Sequence, residues 1–469
     1  MGHIYIAAAH KSSGKTSVSI GLTAALVQKG LTVQPFKKGP DYIDPLWLAR
    51  AAGRPCYNLD FFTQTDAEIL STYTRNSRQA DISLIEGNKG LFDGVDVEGS
   101  DSNAALATML SAPVVLVIDT GGMTRGIAPL IRGYLDFDPD VDICGVILNK
   151  VGGPRHETKL RSALERYTDA EVLGAIGRDT ALEIPERHLG LVPANETRGS
   201  GAADIMIKRL GDTVAANVDL DRVIHIARTA RSPVTTTESI SDLPQPTPDV
   251  RIAIARDAAF GFYYQDDLEA FTNAGAELIP FDTLRDTRLP EADGLFIGGG
   301  FPETHLKALS ENQSLRSNIK KALQTGMPAY AECGGLMYLA RSIKWKGKQA
   351  DMVSTVPADV FVGDRPQGRG YMLLEETAKS PWGPLRSGKA ESTGIPVHEF
   401  HYARLENLGD SPVFAHRVLR GTGIDGVHDG LVINKLLAGF AHHRNTAANP
   451  WVERFVSFVR EQSKTDSGS

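Results

Sequence analysis

AAAHKSSGKTS (residues 7–17) indicates how the first half of the chain folds. The stretch follows an apolar run, precedes a helical pattern and ends in Gly14, Lys15 and Thr16, as phosphate-binding loops do. Ala9 stands where such a loop usually begins with glycine, and alanine is the smallest side chain that could replace it. The strand–loop–helix context therefore predicts a phosphate loop. A Ser/Gly turn that caps a helix is the plainer alternative.

The polar groups of this loop have predicted tasks on a nucleotide. The backbone N–H groups around Ser13 and Gly14 would converge on phosphate oxygens at the start of a helix, with Ser17 in its first turn. Lys15 would reach the terminal phosphates, and the Thr16 hydroxyl would bind Mg²⁺. The loop thus predicts a bound nucleotide together with its cation.

Acidic and amide side chains follow the predicted strands at the edge where the loop lies. Asp41 and Asp44 come after the second strand and Glu86 ends the third, so they could complete the coordination of Mg²⁺. Asp119, after the fourth strand, is a further candidate or a helix cap. Asn149 ends the fifth strand, where its amide could contact a purine edge or serve a turn.

The composition of the 469 residues is that of a globular protein with material for sizeable cores, at 42 % hydrophobic and 23 % charged. A net charge of −7 leaves no basic excess, so no nucleic-acid partner is predicted. The apolar runs are too short to span a bilayer and no signal-peptide pattern opens the chain, which predicts a cytoplasmic protein without a membrane partner. Cys56, Cys144 and Cys333 are far apart and lack metal-ligand spacing, as expected in a reducing compartment.

β-rich runs alternate with helical patterns through residues 1–230. Near-continuous apolar runs are typical of a parallel sheet buried on both faces. The alternation predicts a doubly wound α/β domain whose ligands bind beyond the carboxyl ends of its strands. Strands are predicted at 3–9, 31–37, 81–87, 113–119, 142–149 and 171–177, with crossover helices such as 15–29 and 124–134 between them.

A second α/β domain is predicted at residues 250–462, after a linker at 231–249 that is rich in Pro, Ser and Thr. The alternation restarts there, so this domain is also predicted to be doubly wound. Residues 463–469 are predicted to form a flexible tail. The strands of the second domain are predicted at 250–257, 276–281, 294–300 and 327–335.

Cys333 lies within YAECGGL (330–336), at a predicted strand-to-helix turn between Glu332 and two glycines. This pattern is typical of a nucleophile elbow, in which a sharp turn exposes the sulfur and nearby N–H groups form an oxyanion hole. GGGFPE (298–303) could bring further N–H donors close. A cysteine that serves only packing is the alternative. The thiolate would need a histidine partner, and the candidates are His398, His401, His442 and His443.

Together these motifs resemble, in order, those of the cobyrinic acid a,c-diamide synthase family, which fuses a dethiobiotin-synthetase-like ATP domain to a flavodoxin-like class I glutaminase domain. The resemblance covers nearly the whole chain. It rests on the phosphate loop, QPFKKGPDYIDP, NLD, EGNKGLFDG, GGGFPE, ECGG, HEFHY and AGFAHH.

The resemblance implies a glutamine-hydrolysing amidoligase that uses ATP, Mg²⁺ and glutamine. Carried over motif by motif, the nucleophile falls on Cys333 and its activating histidine on His442, while the roles of His398 and His401 stay open. Class I glutaminases usually close the triad with a glutamate two residues after the histidine. That residue here is Arg444, so the group that orients His442 is not identified.

The resemblance also implies a tetrapyrrole polycarboxylate as substrate, with acetate carboxylates that become amides through an acyl phosphate. Lys37, Asp41, Tyr42 and Asp93 are predicted to contact this substrate, although exposed lysines at a strand end can also be ordinary surface. HKSSGKT and KKGPDYIDPLW most resemble the siroheme amidase branch, which predicts siroheme as the substrate. Cobyrinic or hydrogenobyrinic acid is the alternative. A homodimer is one assembly compatible with the sequence.

Overall fold

The computed structural model describes residues 2–179, 184–187, 190–197, 201–233, 246–383 and 394–466. The chain divides into two compact units, with the division between Ser241 and Asp242. Most of the predicted linker, residues 234–245, lies outside the described residues. Across the described residues, no helix combines the length and the apolar character needed to cross a bilayer.

A fully parallel seven-stranded sheet forms the centre of the first unit. Its strands are β1 (Gly2–Ala8), β2 (Val33–Lys38), β3 (Tyr57–Leu59), β4 (Ile82–Glu86), β5 (Val114–Asp119), β6 (Ile143–Val151) and β7 (Val172–Gly177). Their order in space is β3-β2-β4-β1-β5-β6-β7, and a small hairpin, β8 (Glu186–Arg187) with β9 (Gly190–Leu191), lies outside the sheet.

Helices cover both faces of this sheet. They are α1 (Lys15–Gln28), α2 (Ile43–Ala52), α3 (Asp66–Ser77), α4 (Asn103–Met109), α5 (Ile127–Phe137), α6 (Pro154–Tyr167), α7 (Ala202–Asn217) and α8 (Leu220–Thr229). Alternate residues of β1 enter different apolar cores, because Tyr5 and Ala7 pack into one and Ile4 and Ile6 into the other. The predicted doubly wound architecture is confirmed, and of the strands in this sheet only the short β3 was not predicted.

The second unit is built on a nine-stranded mixed sheet. Its described strands, including those outside the main sheet, are β10 (Val250–Ala255), β11 (Phe260–Phe262), β12 (Ala276–Phe281), β13 (Gly294–Ile297), β14 (Gly299–Gly300), β15 (Ala329–Glu332), β16 (Ser342–Trp345), β17 (Lys348–Asp351), β18 (Asp359–Val362), β19 (Gly368–Glu376), β20 (Ile395–His401), β21 (Ala403–Glu406), β22 (Phe414–Arg420), β23 (His428–Ile433) and β24 (Leu436–Gly439). The helices are α9 (Gln265–Asn273), α10 (Leu306–Glu311), α11 (Gln313–Gln324), α12 (Gly334–Leu339) and α13 (Trp451–Asp466).

The large sheet has a parallel half and an antiparallel half. Its order is β12-β10-β13-β15-β24-β23-β22-β19-β20, parallel from β12 to β24 and antiparallel from β24 to β20. The predicted strands form the parallel half apart from β24, so the α/β prediction is confirmed there. The antiparallel half and a separate four-stranded sheet, β17-β16-β18-β21, were not predicted.

The end of the chain differs from the prediction. Helix α13 continues to Asp466, so residues 463–466 of the predicted flexible tail are helical. The apolar side chains of this helix explain why it forms, because Trp451, Phe455 and Val459 are buried in the core of the second unit. Residues 467–469 lie outside the described residues.

Candidate functional site

The phosphate loop joins β1 to α1 in the way that its sequence predicts. Gly14 precedes α1 with a φ of 82°, in the left-handed region that favours glycine. A Cβ at this position would lie 2.1 Å from Asn149 Nδ2, so no other residue fits without a shift. Ala9 is buried, its φ is not positive, and its N–H donates to Val117 O at 3.3 Å. The backbone at Ala9 therefore has no need of glycine.

Five residues predicted for nucleotide, metal or substrate binding meet beside this loop. Thr16 Oγ1 donates to Glu86 Oε1 at 2.8 Å and lies 3.3 Å from Asp44 Oδ2. Lys15 Nζ lies 3.0 Å from Glu86 Oε1. Lys37 Nζ lies 2.5 Å from Asp44 Oδ2 and 3.0 Å from the same Glu86 oxygen. They come together because β2, β4 and β1 are neighbours in a parallel sheet and end at one edge.

The two lysines of this cluster differ in their electrostatic surroundings. Burial lowers the pKa of Lys37, but Asp44, Glu86 and Asp41 outweigh burial and raise it well above its ordinary value. Burial and the charge of Lys37 lower the pKa of Lys15. Lys37 is therefore a fixed cation that balances the carboxylates. Lys15 and Lys37 both contact Glu86, and a bound phosphate would be a second anion beside the Lys15 ammonium.

The same residues fit Mg²⁺ bound to a nucleotide. Glu86 Oε2 is buried and has no hydrogen-bond partner among the described residues, while Thr16 and Asp44 add further oxygens. Within the described ranges, no cluster of three or more His, Cys, Asp or Glu could hold a metal ion. Mg²⁺ usually takes one or two carboxylates and completes its shell with phosphates and water. The oxygen donors therefore suit a cation that arrives with the nucleotide.

Lys37 and Lys38 are buried, so the interpretation of exposed surface lysines is wrong. Lys37 faces carboxylates, and Lys38 Nζ donates to Asp101 O at 2.6 Å. Burial is possible because each ammonium has partners that offset its lost hydration.

Asn149 supports the loop in the structure. Its Nδ2 donates to Ser13 O at 2.9 Å, and Ser13 Oγ donates to His10 O at 2.8 Å. This hydrogen bond ties β6 to the phosphate loop. The contact of the Asn149 amide with a purine edge stays a prediction. Ser17 lies half-buried in the first turn of α1, as predicted. Asp119 lies 2.8 Å from Lys150 Nζ in an ion pair.

The remaining predicted substrate residues occupy the loops after β2 and β4. Asp41 Oδ1 accepts the N–H groups of Ile43 and Asp44 at 2.9 and 3.1 Å, which fixes the start of α2. Tyr42 is buried directly before that helix. Asp93 is exposed, and its Oδ2 accepts Gly90 N–H at 3.0 Å. Asp41 and Asp93 thus shape their own loops.

Replacement of Lys37 by methionine is expected to lower the free energy of unfolding by about 3–5 kcal/mol, because it leaves Asp44 and Glu86 without their buried cation. Chemical unfolding without nucleotide measures the loss. Lys29→Met is the matched control, since Lys29 pairs with Asp221 in an exposed ion pair 3.0 Å long and should change little. Equal effects of the two substitutions would contradict the role given to Lys37.

Cys333 has the conformation of a nucleophile elbow. It lies between β15 and α12 with φ 46° and ψ −102°, outside the favoured regions for a non-glycine residue. Its N–H donates to Gly439 O at 2.7 Å, which ties the elbow to the neighbouring strand β24. The second glycine after it is required by packing, because a Cβ at Gly335 would lie 2.1 Å from Ile297 O. The predicted strand–turn–helix context is present.

His442 lies beside the elbow, after the end of β24, and the Cys333 side chain is one of the groups that raise its pKa. Its Nδ1 lies 3.3 Å from Glu332 Oε2. Burial lowers the pKa of His442, but Cys333 and Glu332 outweigh burial and raise it to about 10. The surroundings therefore favour an imidazolium next to the sulfur, the arrangement that activates a cysteine nucleophile. The structure brings the two predicted catalytic residues together.

His398 and His401 support the strand end that carries His442. His398 and His442 exchange backbone hydrogen bonds of 3.2 and 2.7 Å, and their rings are 6.2 Å apart. The His401 ring stacks on Phe440 at 3.9 Å, and its Nδ1 is 2.7 Å from Ala403 O.

Arg444 does not complete the site. Its Nη2 lies 2.7 Å from Asp266, and its guanidinium stacks over the Tyr264 ring at 4.8 Å. The residue that faces His442 Nδ1 is Glu332, which was predicted only to lie beside the nucleophile. Adjacency to Cys333 was the sole sequence signal, since strand geometry alone does not reveal which imidazole a carboxylate meets.

Comparison with known proteins agrees with this geometry. Residues 4–192 match the family model of the CobQ/CobB/MinD/ParA nucleotide binding domain. Residues 251–450 match that of the CobB/CobQ-like glutamine amidotransferase domain. The loop and the elbow fall in the first and second match respectively.

Similarity to curated relatives extends over the full length of the chain. A cobyrinate a,c-diamide synthase of Magnetococcus marinus is 44 % identical, over 98 % of this chain and 97 % of the relative. A protein of the same name from Methanosarcina acetivorans is 41 % identical, over 95 % and 92 %. One from Caldanaerobacter subterraneus subsp. tengcongensis is 40 % identical, over 96 % and 97 %. The chain therefore belongs to the cobyrinate a,c-diamide synthase family and is a glutamine-hydrolysing amidoligase.

Proposed function

We propose that this protein converts the a and c acetate carboxylates of cobyrinic acid, or of a closely related corrin acid, to amides at the expense of ATP and glutamine. Full-length similarity to cobyrinate a,c-diamide synthases carries this proposal, at 44 % identity over 98 % of the chain. The two clusters of side chains described above supply the groups that such a reaction needs.

The second unit would release ammonia from glutamine. Cys333 Sγ attacks the side-chain amide carbon, and His442 gives its proton to the departing nitrogen, so that the C–N bond breaks and a glutamyl thioester forms. Water then cleaves the thioester to glutamate and restores the thiol. The raised pKa of His442 means that it holds the proton to be donated.

The first unit would activate the substrate. A substrate carboxylate oxygen attacks the terminal phosphorus of ATP, which gives an acyl phosphate and ADP, and ammonia then displaces phosphate to form the amide. Lys15 would hold the terminal phosphates. Thr16, Glu86 and Asp44 would hold Mg²⁺, which neutralises phosphate charge when bound.

Lys37 would keep Asp44 and Glu86 in place for this cation, because its ammonium is buried between their carboxylates. The loops after β2 and β4, with Asp41, Tyr42 and Asp93, would receive the substrate. The strands that carry these loops end at the same sheet edge as the phosphate loop.

A corrin acid replaces siroheme as the proposed substrate. The siroheme prediction depended on HKSSGKT and KKGPDYIDPLW, whereas the relatives compared above all have the name cobyrinate a,c-diamide synthase. Two short motifs weigh less than identity along the whole chain.

Mass spectrometry of products tests the substrate. The protein is incubated with Mg-ATP and glutamine in four separate reactions. Each reaction contains one tetrapyrrole: cobyrinic acid, hydrogenobyrinic acid, sirohydrochlorin or siroheme. We expect at least one of the two corrin acids to gain two amide groups with consumption of ATP. Sirohydrochlorin and siroheme should stay unchanged. Conversion of siroheme alone would overturn the corrin proposal, and glutamine hydrolysis with every tetrapyrrole untouched would overturn the substrate class.

A further inference from the structure

We propose that Glu332 is the positioning residue that completes the glutaminase site, so that Cys333, His442 and Glu332 act as a triad. The acid would come from the residue immediately before the nucleophile, at the end of β15. This inference rests on the glutaminase half of the proposed function and adds the member that the sequence left unidentified.

Glu332 is held in an orientation that suits this role. Its Oε1 accepts Tyr330 O–H at 2.7 Å and His443 N–H at 3.0 Å. Its Oε2 is 3.3 Å from His442 Nδ1. With one oxygen fixed by two donors, the other lies within ion-pair distance of the imidazole.

The strand explains how one short segment supplies both the nucleophile and the acid. Tyr330 and Glu332 are two residues apart in β15, so their side chains share a face of the sheet and can hydrogen-bond. Cys333 follows with positive φ, and the chain turns sharply there. β24 pairs with β15 and delivers His442 just beyond its end.

Other buried acids near this strand end have different tasks. Asp429 accepts the N–H groups of Phe440 and Ala441, each at 3.0 Å. Glu399 accepts the N–H groups of Thr422 and Gly423 at 2.7 and 2.9 Å. These carboxylates hold backbone segments in place.

The charges that face His442 set the expected effect of pH. Cys333 and Glu332 face it from the elbow, His398 from β20, and His443 follows it in the chain. Burial lowers the pKa of His398 to about 3, and burial also lowers the pKa of His443 well below its usual value, so both rings are neutral. Glu332 is then the carboxylate that favours the imidazolium, and its loss should lower the pKa of His442.

Glu332→Gln tests the proposal, with glutamine hydrolysis, its pH profile and ammonia-dependent amidation as readouts. We expect kcat for glutamine to fall by at least about 10²-fold with a smaller change in KM, because the imidazole loses its orientation and charge. The alkaline limb of kcat/KM should move to lower pH. Ammonia-dependent amidation should stay at the wild-type rate, which shows that the variant folds.

Two further variants make the result decisive. Glu332→Asp keeps the charge, so it should recover part of the lost kcat and keep more of the alkaline limb than Glu332→Gln does. Glu399→Gln, the control at another buried glutamate, should leave the alkaline limb where it is. The proposal is overturned if Glu332→Gln keeps kcat within about threefold of wild type with an unmoved limb. The proposal is also overturned if Glu332→Asp and Glu332→Gln lower kcat by the same factor. A wild-type protein that hydrolyses no glutamine would instead refute the proposed function itself.

Discussion

Cys333→Ala should abolish amidation with glutamine and leave amidation with ammonium salts at the wild-type rate. The substitution removes the sulfur that attacks the glutamine amide, and we expect the rate of glutamine hydrolysis to fall by at least about 10⁴-fold. The phosphate loop and its carboxylates belong to the other unit and keep their side chains. Product formation with each nitrogen source, measured side by side, shows the difference.

Cys144→Ala is the matched control for this experiment. Cys144 is half-buried in β6, and burial raises the pKa of its thiol to about 12, so it should be unreactive. Its replacement should change neither activity. Loss of both activities in a folded Cys333→Ala protein would contradict the assignment of the two half-reactions to separate units.

Lys15→Ala should abolish amidation with either nitrogen source. The ammonium is the loop's charged contact to the terminal phosphates, and we expect the rate to fall by roughly 10²–10³-fold, as for other groups that stabilise developing charge. ATP-dependent product formation with glutamine and with ammonium salts measures the effect.

Lys29→Ala serves as the control, because Lys29 follows the last residue of the same helix. It should leave amidation unchanged. Synthesis retained in Lys15→Ala, from either nitrogen source, would refute the assignment of the phosphate loop.

The position of the nucleotide cluster could be predicted from the sequence because parallel strands end at one edge. Thr16 and Asp44 follow apolar strands and Glu86 ends one, and the sheet order makes those strands neighbours. The elbow at Cys333 was predictable from local sequence, because the two glycines after it indicate a tight turn with close packing.

The contacts of individual side chains could not be predicted. Burial of Lys37 depends on Asp44 and Glu86, which are 7 and 49 residues away in the chain. Asn149 meets Ser13 from 136 residues away. Glu332 was visible beside the nucleophile, but its contact with His442 requires the pairing of β15 with β24.

The antiparallel half of the second sheet escaped prediction for another reason. In β19 and β22 few residues are fully buried, and the others are half-buried or exposed. Such strands lack the continuous apolar runs that marked the parallel strands. Helical continuation to Asp466 was missed because the polar residues of the predicted tail carry no periodic apolar signal.

Transfer of the glutamine amide nitrogen into the product tests the central claim most directly. The wild-type protein is given ATP, cobyrinic acid and glutamine that carries a heavy nitrogen isotope in its side-chain amide, and the diamide is analysed by mass spectrometry. We predict heavy nitrogen in both new amide groups, and its complete absence when Cys333→Ala works with unlabelled ammonium and the same labelled glutamine. A wild-type diamide without heavy nitrogen, or no diamide at all while ATP and glutamine are consumed, would contradict the account.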